Sequence, residues 1–300
     1  MRIANLPGVD TGGNGWRTRE AFARHAPDWT YDLCTGSVKY MDYPKHLDWS
    51  QARRAYLLAD VVHHRNSFRA QRILEVPRKP GVIQHHGTKF RTYTETLLGE
   101  QRRHRAIGLA STLDLWLLAP DELEWLPSPY DLDWLASLRR EQPDDGVLRI
   151  AHAPTNRQVK STAAFLNACS RLARETPVEI TLIENQTWKS CLSRKAQADI
   201  YFDQVTLGYG NNALESWGMG IPVVAGAQPD TLAEMERRFG SLPFVLADEG
   251  TIYQALASLA DPEARKLAAK RGHEHVRRFH DEAVVVEQLK STYQRALDQS

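Results

Sequence analysis

The stretch AQADIYFDQVTLGYGNNALESWGMGIPVVAG, residues 196–226, decides how the rest of the chain is read. Residues 200–202 form a short apolar strand, and the loop after it carries Gly208 and Gly210. A helix bearing Glu215 then leads to a second buried strand over 221–225. Glycine has no Cβ, so such a loop lets backbone N–H groups come close to a ligand. The helix turns its positive N-terminal end on the same place, which suits a phosphate. Glu215 lies one to two turns into that helix, where a carboxylate can accept two hydroxyl hydrogen bonds. Together these features suit a sugar nucleotide. The plain alternative is a strand–loop–helix unit of a parallel sheet.

Upstream, the pattern restarts at Val147: strand VLRIAHAP, loop TNRQVKS, helix TAAFLNACSRLARE, strand VEITLIE. Arg157 and Lys160 lie between a strand end and a helix N-terminus, where two cations can neutralise a diphosphate. A solvated pair of cations is the alternative. Before them, PSPYDLDWLASLRREQPDDG is rich in proline and glycine and reads as an interdomain linker. Asp131 and Asp133 spell a formal D-x-D, but ahead of Trp134 and Leu135 they read as helix capping.

At the start of the chain, residues 2–7 read as a strand and GVDTGGNG as a glycine turn. WRTREAFARHAP follows with helical spacing and stops before Pro27. Gly12, Gly13 and Gly15 do not fit the dinucleotide fingerprint G-x-G-x-x-G. ADVVHHRN (59–66) and GVIQHHGTKFR (81–91) are two more buried strands, and TLDLWLLAPDELEWL gives a further strand and a capped helical turn. Ligands of open α/β sheets sit beyond the carboxyl ends of strands, where His63, His64, His85 and His86 fall. Adjacent strand residues point to opposite faces, so each His-His pair is a poor metal chelate. The tail, GHEHVRRFHDEAVVVEQLKSTYQRAL, fits two amphipathic helices interrupted near His280 and Asp281.

Three hundred residues allow two domains with a core each. The expected boundaries are an N-terminal domain over 1–130, a linker over 131–146, a second domain over 147–280 and a final helix over 281–300. A net charge of +1 gives no global reason to expect nucleic acid or an anionic membrane. Locally the balance differs. Arg53, Arg54, Arg65, Arg69, Arg72, Arg78, Lys79, Lys89, Arg91, Arg102, Arg103 and Arg105 are opposed only by Asp60, Glu75, Glu95 and Glu100. Tyr56, Phe68, Phe90 and Tyr93 are interleaved with them, as on a surface that follows a phosphate backbone. An ordinary solvated surface, or one that receives an acidic protein or a phosphorylated small molecule, is the alternative. Cys34, Cys169 and Cys191 are far apart and odd in number, which points to free thiols. The N-terminus has no long apolar run, and 113–119 is too short to span a bilayer. A cytoplasmic protein is expected.

YGNNALESWGMGIPVVAG resembles the donor-binding signature of retaining GT-B glycosyltransferases of family 4, E-G-F-G-x-x-x-x-E-A-x-A-x-G-x-P-V-V. Glu215 falls on the second glutamate, which in that family holds the ribose hydroxyls. Gly210 falls on the loop glycine, and Gly220, Pro222 and Val223 on the closing G-x-P-V. Tyr209, Asn211 and Asn212 accompany them as donor-binding candidates. Leu207 replaces the first glutamate, and Asp203 and Gln204 are the nearest polar residues to take over. HAPTNRQVKST resembles the family's R-x-x-K-G phosphate loop, with Arg157, Lys160 and Ser161 in place of the usual glycine.

The resemblance also implies donor contacts at Gly12 and Gly13, and His86, before Gly87, facing the anomeric centre. His85, Lys89 and Arg91 are the acceptor-side candidates. The implied fold is α/β, GT-B, with two Rossmann-like domains facing across a cleft and the last helix crossing back to the first domain. The implied reaction is transfer from a UDP- or GDP-sugar to an acceptor hydroxyl with retention and no obligatory metal. No permanently bound cofactor is implied. The acceptor classes left open are a protein, a small molecule and a hydroxylated DNA base. The rivals are a non-catalytic sugar-nucleotide or nucleic-acid binding module and a nucleotide-sugar epimerase on the same fold.

Overall fold

The computed structural model describes residues 1–10, 12–36 and 40–299; Thr11 of the glycine turn lies outside them. The chain forms two compact units. Unit 1 is Met1–Pro129 with Asp281–Ser300, and unit 2 is Tyr130–His280.

Unit 1 is built on six parallel strands: β1 (Arg2–Asn5), β2 (Thr30–Leu33), β3 (Val61–Arg65), β4 (Gly81–His85), β5 (Ile107–Ala110) and β6 (Leu123–Trp125). Their order is β2-β1-β3-β4-β5-β6, so the direction of winding reverses between β1 and β3. Every residue of β4 is buried, as a parallel sheet covered on both faces requires. Alternation sends Val61 to one face, with Phe22, Leu289 and Tyr293, and Val62 to the other, with Tyr56 and Ala70. The helix Glu282–Asp298 supplies much of the first face and is tied down at its start, where Arg24 donates two hydrogen bonds to Glu282, each 2.6 Å.

Unit 2 holds β7 (Leu148–His152), β8 (Val178–Leu182), β9 (Ile200–Phe202), β10 (Leu207–Gly208), β11 (Val223–Ala227) and β12 (Val245–Leu246). The parallel order is β8-β7-β9-β11-β12, with the two-residue β10 antiparallel on β11. Winding reverses between β7 and β9. The core packs Ile150, Phe165, Phe202, Val224, Ile252 and Leu256, and the Phe165 and Phe202 rings stack at 4.8 Å. Burial of each such side chain stabilises the unit by about 1.5–3 kcal/mol. The helix Asn211–Gly218 lies against Pro262–Phe279 so closely that a Cβ on Gly272 would come within 2.1 Å of the Trp217 indole. Glycine is required there by close approach, not by its backbone angles.

Three expectations change. The run over 113–119 is not a strand: Leu113–Trp116 is a helical turn, Thr112 is its N-cap, and the strand comes later as β6. Short apolar runs fit either conformation, and burial of Leu113 and Leu115 from a helix decides it. The strand over 81–91 ends at His85, because Gly87 at φ +56° turns the chain into the helix Gly87–Thr92. The stretch 131–146 opens with the helix Leu132–Leu138, whose Leu135 packs against Gly218. Its first turn is capped as the spacing predicts, by Asp131 accepting from the Trp134 N–H at 2.9 Å. The tail breaks at His280, between Pro262–Phe279 and Glu282–Asp298.

Candidate functional site

In open α/β sheets the crevice for a ligand forms at the carboxyl ends of the strands, where winding reverses. In unit 2 that point lies between β7 and β9. The loop after β7 brings Lys160 there, and the loop after β9 brings Asp203. Lys160 Nζ donates to Asp203 Oδ1 at 2.5 Å, and Asp203 Oδ2 accepts from the Gly210 N–H at 2.9 Å. Asp203 is fully buried, while the Lys160 side chain keeps 18% exposure. Gly210 then starts the helix Asn211–Gly218. A phosphate placed beside Lys160 meets a cation and a helix N-terminus together.

Arg157 does not join this group. It makes a two-point contact with Glu184, 2.8 and 2.5 Å, on an exposed surface. The reason is topological: β8 and β9 flank β7 on opposite sides. One loop sends Arg157 towards the β8 side and Lys160 towards the β9 side, so the two expected catalytic cations are separated. Ser161, where the resembling family has glycine, adopts the left-handed conformation at φ 49°.

Glu215 is buried, and both of its oxygens are engaged. Oε1 accepts from Trp188 Nε1 at 2.8 Å, and Oε2 accepts from the ammonium of Lys195, itself fully buried. Lys195 also donates to Asn212 Oδ1 at 2.9 Å, and Asn212 Nδ2 reaches the carbonyl of Ala153 at 3.3 Å. A carboxylate has about four lone-pair sites, so Glu215 retains acceptor capacity for hydroxyls. The carbonyl of Asn211 accepts from the Tyr130 hydroxyl at 3.5 Å.

Two other donor candidates serve the fold. Gln204 pins its own loop, accepting from the N–H groups of Thr206 and Leu207 at 2.7 Å each and donating to the Gly208 carbonyl. Tyr209 turns inward: it packs on Trp217, and its hydroxyl lies 2.9 Å from His275 Nε2. The polar groups of both side chains are used within unit 2. Sequence reasoning missed Trp188 and Lys195. A lysine twenty residues from its carboxylate leaves no periodic signal.

In unit 1 winding reverses between β1 and β3. Arg65, ending β3, donates to Gln84 Oε1 at 2.6 Å and lies 3.1 Å from His86 Nε2, with longer contacts to Asn5 and Thr18 of 3.4 Å each. Asn66 holds both main-chain groups of His86, at 2.7 and 3.1 Å. His86 Nδ1 is 3.5 Å from Asn14. Burial first, then the Arg65 guanidinium, keeps the His86 ring well below the usual histidine pKa.

Gly12 and Gly13 take positive φ and introduce the helix Asn14–His25. Its second and third N–H groups, those of Gly15 and Trp16, are already satisfied. The buried Asp10 carboxylate accepts from Gly15 and Trp16 at 3.0 Å each, and from the Tyr43 hydroxyl at 2.5 Å. A built-in carboxylate thus takes up N–H groups at this helix start, as Asp203 does at Gly210 in unit 2.

The acceptor candidates divide. His85 is fully buried, stacked on Phe90 at 4.2 Å and bonded to Gln101 at 3.0 Å, because neighbouring strand residues face opposite ways. Arg91 is paired with Asp114 at 2.6 Å, and Lys89 is exposed. The basic run does not make one face. Arg72 and Arg102 pair with Glu100 and Glu122, and Arg78 and Lys79 donate to main-chain carbonyls. Among the described residues, Arg53, Arg54, Arg69, Lys89, Arg103 and Arg105 are exposed without an ion pair. Arg69 and Lys89 follow the carboxyl ends of β3 and β4. Arg103 and Arg105 precede β5, at the opposite end of the sheet.

Among the described residues, no group of three or more His, Cys, Asp or Glu side chains could hold a metal, and no helix is long and apolar enough to cross a membrane. The three cysteines are free, and burial pushes the thiols of Cys34 and Cys169 up to about 12.

Two Rossmann-like units with these strand orders define the GT-B fold. The chain is similar to a solved alpha-glucosyltransferase in complex with UDP and a 13-mer DNA, at 11% identity over 98% of this chain and 100% of that one, with a TM-score of 0.70. It is similar to the sucrose-phosphate synthase of Thermosynechococcus elongatus, at 12% identity over all of both chains and a TM-score of 0.69. HepE of Anabaena, in complex with UDP and glucose, matches at 11% identity over 98% of this chain and 99% of that one, with a TM-score of 0.67. No protein-family model matches the chain, and no curated protein matches it in sequence. At these identities the likeness is one of fold.

Proposed function

We propose that this protein is a glycosyltransferase that moves a sugar from a nucleoside diphosphate sugar to an acceptor hydroxyl, with retention and without an obligatory metal. Unit 2 holds the donor and unit 1 receives the acceptor. The observation that carries the reading is the meeting of Lys160, Asp203, Gly210 and a helix N-terminus at the winding reversal of unit 2. Lys160 stabilises the departing diphosphate, whose charge grows as the glycosidic bond breaks. Glu215, held by Lys195 and Trp188, offers its remaining lone pairs to the ribose hydroxyls. The UDP bound in two of the structures sharing this fold favours a uridine donor.

The test is incubation with a panel of UDP- and GDP-sugars, with and without EDTA. Slow release of free sugar from one donor supports transferase chemistry. An epimerised nucleotide sugar would mark an epimerase instead, and binding without turnover a pure binding module.

The acceptor is proposed to carry negative charge, on the strength of Arg69 and Lys89, which follow the carboxyl ends of β3 and β4 and, among the described residues, are exposed without an ion pair. Duplex DNA is the probe. Affinity that falls steeply with salt supports a hydroxylated DNA base, as counterion release requires. A flat response leaves a protein or small molecule.

A further inference from the structure

Among the described residues, the shorter of the His86 ring's two hydrogen-bond contacts is to a side chain that can only donate. Arg65, like any arginine, has five N–H donors and no acceptor. Its Nη1 lies 3.1 Å from His86 Nε2, so that nitrogen must present a lone pair. Gln84, accepting from the same Nη1 at 2.6 Å, holds the guanidinium in place. The ring itself is fixed through its backbone by the two Asn66 bonds. At Nδ1 the neighbour is another donor, the Asn14 amide nitrogen, but at 3.5 Å it is longer than a well-formed N–H hydrogen bond, so the one proton of a neutral ring is better placed on Nδ1 than on Nε2.

We propose that Arg65 is a positioning residue that fixes His86 as the neutral Nδ1–H tautomer, leaving that N–H as the ring's one donor to a bound hydroxyl. The charged and titratable groups around the ring are Arg65 on β3, Arg17 on the helix Asn14–His25 and His85 on β4; all three disfavour a second proton, as burial does. His86 then serves as a hydrogen-bond donor to substrate and not as a proton acceptor. That role rests on the glycosyltransferase reading, whereas the tautomer does not.

The experiment is a two-bond proton–nitrogen correlation spectrum of histidine-labelled protein, with His86→Gln identifying the ring among eleven histidines. The wild type should show Nδ1 protonated and Nε2 bare, unchanged from about pH 8 to about pH 5.5, below the ordinary histidine pKa of about 6.5. Arg65→Lys, which still donates, should keep that tautomer. Arg65→Met should bring in the Nε2–H form, with burial still holding the ring below the ordinary histidine pKa. A wild-type ring with its proton on Nε2 overturns the proposal, as does a folded Arg65→Met with an unchanged tautomer. Should Arg65→Met fail to fold, the wild-type and Arg65→Lys spectra still decide. A protein with the expected spectra that turns over no nucleotide sugar keeps the tautomer and loses the transferase reading.

Discussion

Lys160 Nζ lies 2.5 Å from Asp203 Oδ1, joining the loop after β7 to the loop after β9 where the winding of unit 2 reverses. The carboxylate is fully buried and the ammonium is partly wet. Such a pair fixes both loops relative to the Gly210 N–H and leaves a cation at the mouth. Removing one partner is costly, because the other is left as an uncompensated buried charge.

Lys160→Ala should therefore destabilise the protein by about 3 kcal/mol, the lower end for breaking a buried pair, since the lysine keeps some solvent. Urea unfolding measures this. Lys160→Met with Asp203→Asn should recover most of the stability and none of the nucleotide binding. A single variant within about 0.5 kcal/mol of wild type would show the pair to be energetically idle.

Gly210→Ala separates site from fold. Its φ of −115° is open to any residue, and an added Cβ would meet Asp203 Oδ2 at 3.7 Å and Lys160 Nζ at 3.9 Å, ordinary contact distances. Stability should change by less than about 0.5 kcal/mol, as at an unstrained position. The methyl would stand in the space beside Lys160, so donor affinity should fall about tenfold or more, or roughly 1.4 kcal/mol. Calorimetry on a variant with unaltered unfolding checks both halves.

Ser161→Gly should stabilise the protein. Serine holds the left-handed conformation there at a cost of about 1–2 kcal/mol. Its hydroxyl gains only a 3.3 Å contact with Glu249 in return. A net gain of about 0.5–1 kcal/mol is expected, read as a rise in Tm of about 1–4 °C. A fall in Tm would mean that the Glu249 contact outweighs the backbone strain.

Buried neutral histidines set the acid limit. Burial lowers His85 and His152 to about 4 and His64 to about 3. Each binds its proton more readily when unfolded, so stability is complete above about pH 6.5 and is lost as pH falls towards 4. The three together remove several kcal/mol across that window, since each tenfold loss of proton affinity on folding corresponds to about 1.4 kcal/mol. Thermal unfolding followed from pH 7 to pH 4 should show a steep drop. A flat profile would mean that the rings are solvated.

The residues of the site were legible one at a time, and their grouping was not. The stretch 196–226 marks Gly210 and Glu215 because a glycine loop before a helix has a local signature. That Lys160 meets Asp203 while Arg157 turns to Glu184 depends on β8 and β9 flanking β7, an order no local pattern carries. The Lys195–Glu215 pair is equally silent in sequence, since a buried lysine looks like a surface one until its partner is placed. Strand alternation did separate His85 from His86, although it could not say which one faces inward.

Binding of a nucleoside diphosphate beside Lys160 is what the glycosyltransferase reading most depends on. Calorimetric titration of UDP and GDP into the wild type and into Lys160→Met/Asp203→Asn tests it. One nucleotide should bind the wild type and lose at least about tenfold in affinity, roughly 1.4 kcal/mol, in the folded double variant. Equal affinity for both proteins, or no binding of either nucleotide to the wild type, would contradict it.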